Sequence, residues 1–178
     1  MPHRRNALEK GPIEVVWMSG MWYGLLMQNN DVLQSIRYVL NLNDQKLVEI
    51  TELAGYLVTL PEIISYLKKE EDLGYEPCPD DVMAYFLNGL IVYKRGSIEG
   101  RTSQPIETPI TNNIVLKKIR VAFQLKDTDL IILIEKSGLL KISKTELSAF
   151  FRKPDHRNYR ECGDQYLRNV LKGLSSKN

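Results

Sequence analysis

The sequence predicts an all-α protein made of two tandem four-helix repeats, residues 27–93 and 112–178, with a linker over 94–111 and an extension over 1–26. Three observations predict it. Residues 83 or 84 positions apart coincide; apolar side chains recur at helical spacing; and helix-ending glycines and capping motifs stand at corresponding places in both halves.

A shift of 83 pairs Asn29, Asn30, Val32, Leu33, Ile36, Arg37, Leu42, Asp44, Leu47, Glu52 and Gly55 with identical residues, from Asn112 and Asn113 through to Gly138. After one extra residue in the second copy, a shift of 84 pairs Glu62, Lys69, Tyr75, Cys78, Asp80, Leu87, Gly89 and Leu90 with identical residues, from Glu146 through to Leu174. Agreement over about sixty positions marks an internal duplication, so both copies must adopt the same elements.

The first helix carries Val32, Leu33, Ile36 and Leu40 on one face, with Leu116, Ile119 and Phe123 as its second-copy set. The second runs from a cap at Asn43 or Asp44 to Gly55, and from Asp127 to Gly138, where glycine suits a left-handed end. Alone, Leu130 to Ile134 reads as a buried strand. Its counterpart, Leu47-Val48-Glu49-Ile50-Thr51, breaks with polar residues at helical spacing, and a helix is predicted in both. Thr59-x-x-Glu62 and Ser143-x-x-Glu146 are capping boxes that open the third helix. The fourth carries Met83, Phe86, Leu87 and Leu90, matched by Leu167, Val170, Leu171 and Leu174, and is expected to end near Gly89 and Gly173. Between the copies, Gly96, Ser97, Gly100, Ser103, Pro105 and Pro109 without an apolar period read as a linker. Two related units are expected to pack about a pseudo-twofold axis, the alternative being an open arrangement that leaves faces for a second chain.

With 24 Lys plus Arg against 22 Asp plus Glu, the net charge of +2 does not by itself suggest a nucleic-acid binder. Its distribution is uneven. Residues 27–93 hold 4 basic and 11 acidic side chains (−7), and residues 94–178 hold 17 and 9 (+8). This polarity fits a basic half that meets phosphates, complementary halves that attract within or between chains, or drift of solvated surface after duplication. Two cysteines without CxxC spacing exclude a disulfide framework and point to the cytoplasm. The histidines are His3 and His156, too few for a zinc site, and no cofactor is expected. Ile13 to Met27 is apolar behind His3-Arg4-Arg5, but it is shorter than the ~20 residues a membrane span needs. No Ala-x-Ala-type cleavage site follows it, so residues 1–26 are read as an extension from a misassigned start, and no membrane association is expected.

The motifs IRYVLNLND and IRVAFQLKD, FLNGLIVYKRG, and ISKTELSAFFRKPDHRNYRECGDQYLRNVLKGL occur in order. Together they resemble the YehS-like family of small bacterial proteins, a domain of unknown function (1456) present in two copies, over residues 27–174. The resemblance implies a duplicated protein and brings no activity, cofactor or catalytic residue to carry over.

Two local features carry candidate chemistry. Tyr-x-x-Cys-x-Asp occurs as Tyr75, Cys78 and Asp80 and again as Tyr159, Cys162 and Asp164, just before the fourth helix. A catalytic reading makes Cys162 a nucleophile with His156 as base, although the first copy has Asp72 at the histidine position. The favoured reading is structural: cysteine fills a small buried site, tyrosine packs over it and aspartate caps the helix. The second feature is a basic loop of Arg152, Lys153, His156, Arg157, Tyr159 and Arg160, whose first-copy counterpart is acidic. It is either a binding surface or a solvated loop. The helix order from Asp127 to Lys153 is also that of a helix-turn-helix, common in any bundle.

These features favour a non-catalytic binding or scaffold protein whose partner, another protein or a second copy, stays open. The alternative is a nucleic-acid-binding regulator using Lys117, Lys118, Arg120, Arg152, Lys153, Arg157 and Arg160. A cysteine-dependent enzyme comes third.

Overall fold

The computed structural model describes residues 27–96, 105–136 and 138–175; the extension over 1–26 and the middle of the linker lie outside the described residues. The described residues form α1 (Asn29–Val39), α2 (Asp44–Glu52), α3 (Leu60–Tyr66), α4 (Asp80–Arg95), α5 (Asn112–Ala122), α6 (Asp127–Glu135), α7 (Lys144–Ala149) and α8 (Asp164–Ser175), and they contain no strand. The protein is all-α and duplicated, four helices to each copy.

Local chemistry sets the boundaries. Asn43 Oδ1 accepts the Lys46 N–H at 2.8 Å and opens α2. Gly55 (φ +90°) and Gly138 (φ +72°) follow α2 and α6 in the left-handed region that glycine enters without strain. Both capping boxes form. Glu62 Oε2 accepts the Thr59 N–H (2.8 Å) and hydroxyl (2.6 Å), and Glu146 Oε2 accepts those of Ser143 (3.0 and 2.8 Å). Bonds from the Thr59 hydroxyl and N–H hold the Glu62 carboxyl below its usual range. The Ser143 N–H and hydroxyl do the same for Glu146, with a smaller contribution from Arg160.

Gly89 and Gly173 do not end the fourth helices, as their spacing suggests; α4 continues to Arg95, and α8 to Ser175. They are instead places of close approach. A Cβ on Gly89 would stand 1.7 Å from the carbonyl oxygen of Ile50 on α2, and one on Gly173 would stand 2.7 Å from Leu133 Cδ2 on α6. Ile50 and Leu133 are equivalent under the 83-residue shift, so each glycine lets its helix cross the second helix of its own copy at the same point.

Packing between the copies is reciprocal. α4 lies against α2 and against α5 of the other copy, while α8 lies against α6 and against α1; α1 with α4 and α5 with α8 touch only lightly. One continuous core results, in which Leu33, Ile36, Leu47, Ile50, Phe86, Leu87 and Leu90 join Leu116, Ile119 and Leu130. Each large side chain so buried contributes about 1.5–3 kcal/mol. Polar ties cross the same seam. The Ile110 N–H donates to Asp80 Oδ2 at 3.0 Å, Arg168 stands 3.8 Å from Asp31, and Lys94 Nζ lies 5.2 Å from the centre of the Phe123 ring.

Candidate functional site

The Tyr-x-x-Cys-x-Asp motif is held by the asparagine pair that opens each copy. Asn30 Nδ2 donates to the carbonyls of Tyr66 (2.9 Å) and Glu76 (2.8 Å), and its Oδ1 accepts the Cys78 N–H at 2.8 Å. Asn113 repeats this with Phe150 (2.9 Å), Arg160 (2.8 Å) and Cys162 (2.9 Å). Asn29 Nδ2 donates to the Cys78 carbonyl (3.0 Å) and Asp80 Oδ1 (2.8 Å); Asn112 Nδ2 donates to the Cys162 carbonyl (2.9 Å) and Asp164 Oδ1 (2.6 Å). Two adjacent side chains on α1 or α5 thus clasp the start of α4 or α8. A buried asparagine saturated in this way fixes a loop, since breaking any one bond strands a polar group out of water.

Within the clasp the cysteines are shut away from solvent. Cys78 and Cys162 are free and buried, each Sγ facing the carbonyl of the next residue, and burial pushes both thiols up to about 12. A thiol there stays protonated and is a poor nucleophile. His156 is exposed and turned elsewhere, its ring nitrogens 3.3 and 3.5 Å from Arg152 and its Nδ1 accepting the Asn158 N–H at 3.0 Å. Asp164 is occupied by Asn112. Among the described residues no hydrogen bond links Cys162, His156 and Asp164 to one another. The aspartate does not cap its helix either: α4 starts after Pro79, without a side-chain cap, and Asp80 instead joins Asn29 to the linker. Tyr75 reaches back through its hydroxyl to Gln28 Oε1 at 2.9 Å.

The basic loop and its acidic counterpart share one backbone. The His156 and Tyr159 N–H groups donate to Lys153 and His156 carbonyls (2.9 and 2.8 Å), and the Arg160 N–H to Ala149 (3.3 Å). The Asp72, Tyr75 and Glu76 N–H groups make the equivalent bonds to Lys69, Asp72 and Ser65 at 2.9, 3.1 and 3.3 Å. On this common frame Arg160 pairs with Glu146 at 3.2 Å and Arg152 adjoins His156, while Tyr159 is half-buried. Lys153 and Arg157 are exposed and make no ion pair among the described residues. The other cations on the nucleic-acid list are engaged. Lys117 and buried Lys118 each stand 3.1 Å from Glu107. Burial works against that carboxylate's charge, but bonds and charge from the two lysines outweigh it and leave Glu107 below its usual range. Arg120 lies 2.7 Å from Asp127 and 4.6 Å from the centre of the Phe151 ring.

The chain matches the family described as "Protein of unknown function (DUF1456)" twice, over residues 29–96 and 112–178. It belongs to this family. Its two DUF1456 copies are similar along nearly their whole length to the "Uncharacterized protein YehS" of Escherichia coli (strain K12), 44% identical over 151 residues, which cover 85% of this chain and 96% of the relative. No solved structure matches. Among the described residues no helix is long and apolar enough to cross a membrane, and no group of three or more His, Cys, Asp or Glu side chains is placed to hold a metal ion.

Comparing the two DUF1456 copies exposes residues that sequence inspection passed over. Leu53, Leu60, Ile64 and Leu73 are all exposed, Leu73 at 96%. Their aligned second-copy residues are Lys136, Lys144, Ser148 and Arg157. The signal lies in the alignment: identities mark the clasp, and leucine-for-cation replacements mark the surface.

Proposed function

We propose that this protein is a non-catalytic binding or scaffold protein in which the duplicated helices hold two equivalent loops of opposite charge, the basic one being the binding surface. One observation carries the reading: residues 68–76 and 152–160 share their backbone hydrogen bonds, yet one loop presents Glu70, Glu71 and Glu76 beside Lys69, and the other Arg157 and Arg160 beside the equivalent Lys153. The residues that look catalytic are used structurally, with both cysteines protonated inside an asparagine clasp. A phosphate-binding role has less support, since among the described residues five of the seven candidate cations have a charged or polar side-chain partner, Lys153 and Arg157 being the exceptions.

The test compares proteins captured by the immobilised full chain with those captured by a Lys153→Glu, Arg157→Glu variant, beside fluorescence-anisotropy titrations against short DNA and RNA. A captured species lost in the variant supports the reading, and an unchanged set overturns it. Nucleic-acid binding with a salt slope steeper than about −2, the release expected from two phosphate contacts, would favour the regulator instead.

A further inference from the structure

We infer that the acidic, leucine-bearing end of the first copy docks the basic end of the second copy in another molecule of this chain. The inference rests on the binding reading above and names its partner.

Leu60 and Ile64, four residues apart on α3, share a face. The loop beyond α3 ends in Leu73, which leaves nearly all of a large apolar side chain in water. On the same loop as Leu73, Glu70, Glu71 and Glu76 are exposed, outnumber the exposed Lys69, and make no ion pair among the described residues. Such a surface calls for a partner with cationic heads on apolar stems, since lysine and arginine cover leucine with their methylenes while their charges reach carboxylates.

The chain carries a surface of that chemistry at the equivalent place. Lys144 stands where Leu60 does and Arg157 where Leu73 does, and Lys153 on the same loop is also exposed. Because the two loops share a backbone, each molecule offers one end of each character on the same scaffold. Two molecules docked reciprocally satisfy both ends, and a head-to-tail row satisfies one at every contact. A basic segment of a different protein is the competing occupant.

Sedimentation velocity on the full chain tests this. The wild type is expected above monomer mass in about 0.1 M salt and nearer monomer in about 1 M, where the screening length falls from about 10 to about 3 Å. Two variants, Lys144→Glu with Lys153→Glu and Arg157→Glu, and Glu70→Lys with Glu71→Lys and Glu76→Lys, are each expected to be monomeric. Mixed in equal amounts they should associate again. Leu60→Ala with Leu73→Ala should weaken wild-type association roughly tenfold. All these positions are exposed, so unchanged circular dichroism checks the fold. A wild type that stays monomeric in low salt overturns the proposal, as does self-association by either charge variant or a mixture that stays monomeric. If the wild type is monomeric while Lys153 and Arg157 still govern capture of another protein, this inference falls and the binding reading stands.

Discussion

In the first copy the turn after α3 carries Lys69, Glu70, Glu71, Asp72 and Glu76; in the second the same turn carries Lys153, Asp155, His156, Arg157 and Arg160. The balance of charge along this turn has reversed while its backbone hydrogen bonds are kept, as an exposed loop allows. Beneath it the equivalent hydrogen bonds of the asparagine clasp, 2.8–3.0 Å in the first copy and 2.6–2.9 Å in the second, join the same positions. Duplication has been free to diversify what faces solvent and has kept what a buried polar network requires.

The sharpest way to break that equivalence lies at the helix crossings. Gly89→Ala drives a methyl into the Ile50 carbonyl, which is backbone and cannot yield, whereas Gly173→Ala meets the end of the Leu133 side chain, which can rotate, and only presses at 3.3 Å on the Leu133 Cβ and carbonyl oxygen. Chemical denaturation should show a loss above about 3 kcal/mol, or no folded protein, for the first and about 1–2 kcal/mol for the second. Equal losses would mean the crossings are alike after all.

Next come Asn30→Ala and Asn113→Ala, each of which strands two carbonyls and a cysteine N–H. Each should cost about 2–3 kcal/mol by the same assay. A difference above about 1 kcal/mol would show that only one clasp carries stability. The caps are smaller: Thr59→Ala and Ser143→Ala should each lower stability by about 1 kcal/mol in thermal unfolding. Both cap glutamates are held below their usual range. Their contribution is therefore present above the unfolded-state carboxylate pKa and fades as pH falls through the lower folded one.

The slightest effect is expected at the cysteines. Their folded-state pKa is raised, so their contribution to stability is complete below about 9 and is lost as pH climbs toward about 12. Labelling with a thiol reagent near pH 8 should proceed at one slow rate for both, set by unfolding. A fast Cys162 beside a slow Cys78 would reopen the catalytic reading.

Much of this was legible in the sequence because the duplication supplies its own control. The polar breaks in Leu47 to Thr51 decided the nature of the apolar run Leu130 to Ile134, and both third-helix capping boxes stand where their spacing put them. Gly89 and Gly173 misled because a glycine at a close crossing and one at a helix end look alike in one dimension; only the Ile50 and Leu133 neighbours tell them apart. Asp80 misled similarly, since its partners Asn29 and Ile110 are remote in sequence. Lys118 reads as a surface cation until its burial beside Glu107 is seen. The basic loop was visible as a run of charges, but which of its cations are already paired depends on residues such as Glu146 on a separate element.

The reciprocal seam has a consequence for the order of events during synthesis. Of the described helices, the first to be synthesised has its main companion in the last, because α1 rests on α8 while α5 rests on α4. α1, which bears the buried Val32, Leu33 and Ile36, waits for that neighbour until α8 has been synthesised. Closure is then a late, long-range event, slow to nucleate and exposed in the meantime to aggregation or to chaperones, and shortening α8 should undo the beginning of the chain as much as its end.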